Sequence, residues 1–153
     1  MDDKIILVLI RHPQTEGNVL SNSEMTKLER PNHLFRPTEK GVWQIEQALQ
    51  SYVTLGLSNP GALFCSTFFR TRAVVEAFQS HFGTPIIEDS RLDEKWDGIF
   101  HSVTREEIVA RYPEQIELQS KYGWYHYTPI GGENGPKVEL QIRSFFTHIW
   151  QCR

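Results

Sequence analysis

The sequence predicts an α/β domain, three αβα layers around a mostly parallel sheet, and three features carry that expectation. Residues 5–10 read Ile-Ile-Leu-Val-Leu-Ile, a continuous aliphatic run with β-branched members, the pattern of a strand covered on both faces. A second apolar run over 62–65 precedes a helical pattern that stops at Gly83, a strand followed by a helix. Between the two runs, Val42, Ile45, Leu49 and Val53 recur at helical spacing.

Taken in order, the first run is the expected central strand, and a polar, proline-punctuated stretch over 14–37 follows it. The first long helix should start after Thr38, a favourable N-cap residue, with Glu39 well placed on the helix dipole. The turn Asn59-Pro60-Gly61 opens the second strand, and the next helix carries Val74, Ala77, Phe78 and Phe82 on its apolar side. Pro85, Ile86 and Ile87 form a short third strand. Thr104 with Glu107 makes a capping box for a helix reaching Tyr112. Pro136 opens a last helix expected to bury Val138, Ile142, Phe145, Phe146 and Ile149. Three strands are few where roughly five to six are usual, so residues 1–153 read as a single domain cut short before its last strand.

With 39% hydrophobic and 12% aromatic residues, the chain holds enough apolar material for one core. A net charge of −3 excludes a broad footprint for nucleic acid or an anionic membrane, since either needs Lys and Arg in clustered excess. An anion must instead meet a local pocket, and the expected partner is a small phosphorylated substrate. The acidic start Met1-Asp2-Asp3-Lys4 and the short first apolar run resemble neither a secretory signal nor a membrane span, so a cytoplasmic protein is expected. Cys65 and Cys152 are expected as free thiols. No metal or other cofactor is expected, because the histidines are scattered without ligand spacing.

The chemistry sits where the strands end. Arg11-His12-Pro13-Gln14-Thr15-Glu16-Gly17-Asn18 follows the first run, at the carboxyl end where open α/β sheets bind ligands. Ser66-Thr67-Phe68-Phe69-Arg70-Thr71-Arg72 follows the second, at the start of a helix whose free N–H groups also favour anions. Two guanidinium groups suit a phosphate dianion, because each planar fork grips two oxygens. A neutral imidazole between them can attack phosphorus and form a phosphohistidine, which splits one hard displacement into two easier ones. The arginines would stabilise the equatorial oxygens, and an acid must protonate the departing alcohol.

These residues resemble the histidine phosphatase superfamily, the phosphoglycerate-mutase-like proteins. Arg11-His12-x-x-Thr15-x-x-Asn18 is similar to its Arg-His-Gly-x-Thr-x-x-Asn signature, and Ser66-x-x-x-Arg70-Thr71 resembles its second phosphate-binding motif. Arg91-Leu92-Asp93-Glu94 followed by Gly98 resembles the segment with the acidic proton donor, and Gly131-Gly132-Glu133 the Gly-Glu-Ser element. The resemblance implies His12 as nucleophile, Glu94 as acid, Arg11 and Arg70 as phosphate clamps, and Thr15 with Asn18 as pocket donors. It implies a phosphomonoester hydrolase acting through phospho-His12, with phosphoglycerate mutase-type transfer or non-catalytic phosphate binding as alternatives.

Two departures from that pattern stand out. Its Ser/Thr-His-Gly motif, which carries a second histidine, has no counterpart in these residues, and Pro13 replaces a glycine, fixing φ and removing a backbone N–H. Other readings compete at single positions. Arg70 on a solvated helix would pair with Glu76, Arg30, His33 and Arg36 lie on a loop able to reach a distal anion, and Tyr122, Trp124, Tyr125 and Tyr127 read as core cover or a lid.

Overall fold

The computed structural model describes residues 5–21, 24, 31–101 and 103–151; Arg30 and Cys152 lie outside them. In chain order the elements are α1 (Glu16–Val19), α2 (Glu39–Thr54), β1 (Leu63–Cys65), α3 (Phe69–Phe82), β2 (Ile86–Glu88), α4 (Arg105–Arg111), α5 (Pro113–His126) and α6 (Gly135–Gln151). Short 3₁₀ turns occupy Asn32–Leu34, Ser90–Leu92 and Gly98–His101.

The local signals act as their chemistry dictates. Thr38 caps α2, its hydroxyl accepting from the Gly41 N–H at 3.1 Å. Gly83 ends α3 in the left-handed region at φ 72°, where a side chain would be strained. Thr104 and Glu107 form the capping box of α4. The chain then crosses from β1 through α3 to β2, which pairs parallel to β1 with Leu63 opposite Ile86 and Cys65 opposite Glu88. This strand–helix–strand unit is the α/β part of a mostly helical fold.

Its core lies between α2, α3 and β1. Ile45, Tyr52, Leu63, Cys65, Val74, Val75 and Phe78 are buried together, with Leu49, Ala77 and Phe82 against them. Tyr52 meets the edges of Phe78 and Phe82 at 5.4 Å each, and its hydroxyl donates to the Ser58 carbonyl at 2.8 Å. The inward stripe of α2 therefore runs through Gly41, Ile45 and Tyr52, while Val42 and Val53, expected inside, are exposed. The close seat of Gly41 and the edge-on contacts of Tyr52 set the helix rotation. Burial pushes the Cys65 thiol pKa up, with Glu88 adding to the effect.

Three expectations need correction. Residues 5–10 form no ladder; they carry no regular secondary structure, with exposures from 42% to 80%, and the described sheet consists of β1 and β2 alone. An apolar run becomes a strand only when a neighbour takes up its N–H and C=O groups, and among the described strands β1 and β2 pair with each other and not with this run. In α6 only Phe145 is buried, while Val138, Ile142, Phe146 and Ile149 are half-buried. Helix α5 was not foreseen, although Pro113 at its first position followed by Glu114 is a start signal; Gly123, at φ 70°, kinks it. No helix among the described residues is long and apolar enough to cross a membrane.

Phe78, at 2% exposure, fills the centre of this core. Phe78→Ala should lower the unfolding free energy by about 3–5 kcal/mol in urea titrations, and a loss below about 1 kcal/mol would place the core elsewhere.

Candidate active site

The loop carrying His12 is fastened to the start of α2. Gln14 N–H donates to Gln44 Oε1 at 2.8 Å, the Thr38 hydroxyl donates to Gln14 Oε1 at 2.9 Å, and Thr38 N–H donates to the Gln14 carbonyl at 3.1 Å. That carbonyl comes so near the helix that a Cβ on Gly41 would stand 2.1 Å from it, so only glycine fits there. Arg11 and His12, just before this anchor, line an open cleft of about 210 Å³ together with Gln44, Ile45, Ala48 and Val74.

Within the cleft, the His12 ring has a defined tautomer. Its Nδ1 lies 2.8 Å from the Pro13 carbonyl. A carbonyl only accepts, so Nδ1 is the donor of this contact, which in a neutral imidazole leaves the lone pair on Nε2. Pro13 has lost an N–H, but the group used here is its C=O, which proline retains. Thr15, 2% exposed, and Asn18 satisfy each other instead: the Thr15 N–H and hydroxyl donate to Asn18 Oδ1 at 2.9 and 3.0 Å.

Arg70 is the most constrained cation of the described chain. It is 3% exposed on the first turn of α3. NH1 donates to the Asn32 carbonyl and to Asn32 Oδ1, both at 3.0 Å, the guanidinium lies 4.5 Å over the Phe68 ring, and NH2 pairs with the Glu94 carboxylate. Burial pulls the Arg70 pKa below the usual guanidinium value while the charges of Glu94 and Asp93 oppose it. Glu94 itself is 59% exposed along its side chain. The two partners are thus unequal, since the carboxylate can turn to water and the guanidinium cannot.

A brace holds the segment that carries Glu94 from both sides. Upstream, the Thr67 N–H and hydroxyl donate to Asp93 Oδ1 at 2.8 and 2.9 Å, tying residue 93 to the β1–α3 turn. Ser66 and Thr71 close that turn with a 2.8 Å hydroxyl contact. Arg91 donates from its N–H and Nε to Asp89 and from NH1 to the Ser144 carbonyl at 3.1 Å, joining the 3₁₀ turn to α6. Downstream, Trp96 N–H donates to Glu133 Oε2 at 3.1 Å and Glu133 N–H donates to the Trp96 carbonyl at 2.8 Å. Burial would raise the Glu133 pKa, but the Trp96 N–H, Lys137 and Gln141 outweigh it and hold it below its ordinary value.

Of the residues expected in the site, Arg11 and His12 share a cleft, Thr15 and Asn18 form a cap, and Arg70 and Glu94 form an ion pair. Arg70 does not line the cleft of His12. The two are linked through α3, where Val74, a cleft residue, lies one turn beyond Arg70. Arg72, not Arg70, pairs with Glu76, and also with Glu88 on the surface. Of the four clustered aromatics only Tyr127 is buried, its hydroxyl donating to Gln115 at 2.7 Å. Asn32 and Asp93 were missed as partners: Asn32 left no signal in a polar loop, whereas Asp93 stood beside Glu94 in a motif already singled out.

Comparison with known proteins shows the family and the fold. The family model of the histidine phosphatase superfamily (branch 1) matches residues 7–151. No curated protein matches by sequence. Among solved structures, the chain is similar to YhfR of Bacillus stearothermophilus, with a TM-score of 0.71 at 23% identity, covering 94% of this chain and 66% of that one. It is similar also to the alpha-ribazole phosphatase of Shigella flexneri, with a TM-score of 0.70 at 20% identity over 93% of this chain and 65% of that one. A mycobacterial glucosyl-3-phosphoglycerate phosphatase, solved with inorganic phosphate, gives a TM-score of 0.66 at 21% identity over 92% and 60%. At these identities the likeness is one of fold, and the chain spans less than two thirds of the length of these structures.

The brace upstream of Glu94 should titrate. The Arg91 side chain holds the Asp89 pKa below the usual carboxylate value. Its stabilising effect is therefore complete above the unfolded pKa of about 3.9 and is lost as pH falls through the lower folded value. Melting curves taken from about pH 6 down to about pH 2 should show the native protein losing more stability than Asp89→Asn; parallel losses in the two would contradict the brace.

Proposed function

The chain belongs to the histidine phosphatase superfamily, branch 1, and from that premise we propose that it is a phosphomonoester hydrolase working through a phosphohistidine at His12. One observation carries the reading: a guanidinium nearly withdrawn from solvent, Arg70, whose anionic partner Glu94 is free to leave for water. Stripping a buried cation of its counter-charge is costly, so a site of this kind favours the entry of another anion. A phosphoryl dianion fits the requirement and matches the planar fork.

In the proposed reaction the substrate phosphate takes the Arg70 NH2 from Glu94 and meets Arg11 on the His12 side. His12 Nε2, which bears the lone pair, forms the N–P bond as the P–O bond to the leaving alcohol breaks. The alcohol oxygen receives its proton from the Glu94 carboxyl, acting as general acid. Water then forms the new P–O bond, the N–P bond breaks, and the proton released by water returns to Glu94. Inorganic phosphate and neutral His12 are the outcome, and Arg11 and Arg70 stabilise the equatorial oxygens in both steps. Hydrolysis, rather than mutase-type transfer, is supported by the phosphatase names of the structures that share the fold.

Rapid-quench experiments with a radiolabelled aryl phosphate should trap acid-labile, base-stable phosphate on the native chain and none on His12→Ala. Equal labelling of the two would end the proposal, and phosphate bound by the native chain without turnover would replace the enzyme reading with a binding one.

A further inference from the structure

We infer that Asn32 is a positioning residue for Arg70, holding the guanidinium by one edge so that the other is offered to the substrate phosphate; the inference rests on the functional reading above. Both acceptors on NH1 belong to Asn32, its carbonyl and its Oδ1, each at 3.0 Å. NH2, the neighbouring nitrogen of the same planar group, is turned to Glu94. With the guanidinium carbon 4.5 Å over the Phe68 ring, fixing NH1 in this way restricts how the fork can turn.

The support for Asn32 can be traced outward. It opens the 3₁₀ turn Asn32–Leu34, in which the Leu34 N–H donates to the Pro31 carbonyl at 2.9 Å and the Phe35 N–H to the Asn32 carbonyl at 3.2 Å. Phe35 is 3% exposed and so anchors the turn. The Asn32 carbonyl accepts from Phe35 and Arg70 at once, which couples the fixed backbone of the loop to the cation on α3.

The residue type matters as much as its place. An amide oxygen accepts the N–H of Arg70 without cancelling its charge, so the full positive charge remains for an anion. A carboxylate in the same position would orient the guanidinium equally well and neutralise it. Orientation and charge are thereby separable by substitution at Asn32, which a merely structural side chain would not allow.

Calorimetric titration with orthovanadate, paired with thermal unfolding of each variant, tests this. Arg70→Ala should weaken vanadate binding strongly. Asn32→Ala should weaken it about tenfold, as expected for loss of one hydrogen bond to a charged group. Asn32→Asp should weaken it at least as much while melting no lower than the native chain, the result that a purely structural role would not give. The double variant Asn32→Ala/Arg70→Ala should bind no worse than Arg70→Ala alone. Native-like affinity in both Asn32 variants, with Arg70→Ala impaired, overturns the inference and leaves the functional reading intact. Vanadate affinity indifferent to Arg70→Ala overturns the functional reading, and the inference with it.

Discussion

A guanidinium that has been taken almost out of water must be matched on every side, and at Arg70 the matching is uneven. Phe68 covers one face and Asn32 accepts along one edge, and both are neutral. The remaining edge is answered by Glu94, a carboxylate that stays largely in solvent. The charge of Arg70 is therefore held in place by groups that do not quench it and balanced by one that can be exchanged. Much of the surrounding architecture serves that arrangement. The core of α2, α3 and β1 sets the axis of α3, and with it the depth of Arg70. The links from Asp93 to Thr67 and from Glu133 to Trp96 confine the segment that brings Glu94 to it.

His12 depends on a different set of supports. Its loop is pinned at Gln14 by Gln44 and Thr38, and the narrow approach at Gly41 lets the loop lie directly on the start of α2. The two halves of the candidate site both involve α3: Val74 lines the cleft of His12, and Arg70 pairs with Glu94. Val74 and Arg70 stand about one turn apart along that helix.

Much of this was legible in the residues themselves, and the reasons are local. Thr38, Gly83 and the Thr104–Glu107 pair act through hydrogen bonds and torsions within a few residues of themselves, so their positions could be read directly. The spacing of Val74, Ala77, Phe78 and Phe82 likewise announced an apolar face, of which Val74 and Phe78 are buried. What could not be read depended on distant partners. The run at 5–10 has the composition of a strand, yet pairing is a property of two segments, and no described neighbour supplies the second. Val42 and Val53 fit the helical period as well as Tyr52 does; the aromatic contacts with Phe78 and Phe82 decide which side turns inward. Asn32 meets Arg70 across 38 residues of chain, through a loop whose composition carries no sign of the contact.

The central claim is that His12 and Arg70 act on one and the same phosphoryl group. A crystal structure of the chain with orthovanadate tests it most directly. The account predicts vanadium bonded to Nε2 of His12, with an equatorial oxygen within hydrogen-bonding distance of the Arg70 guanidinium and Glu94 displaced from it. Vanadate seated on His12 while Arg70 keeps Glu94 as its partner, or bound away from both, would contradict the account.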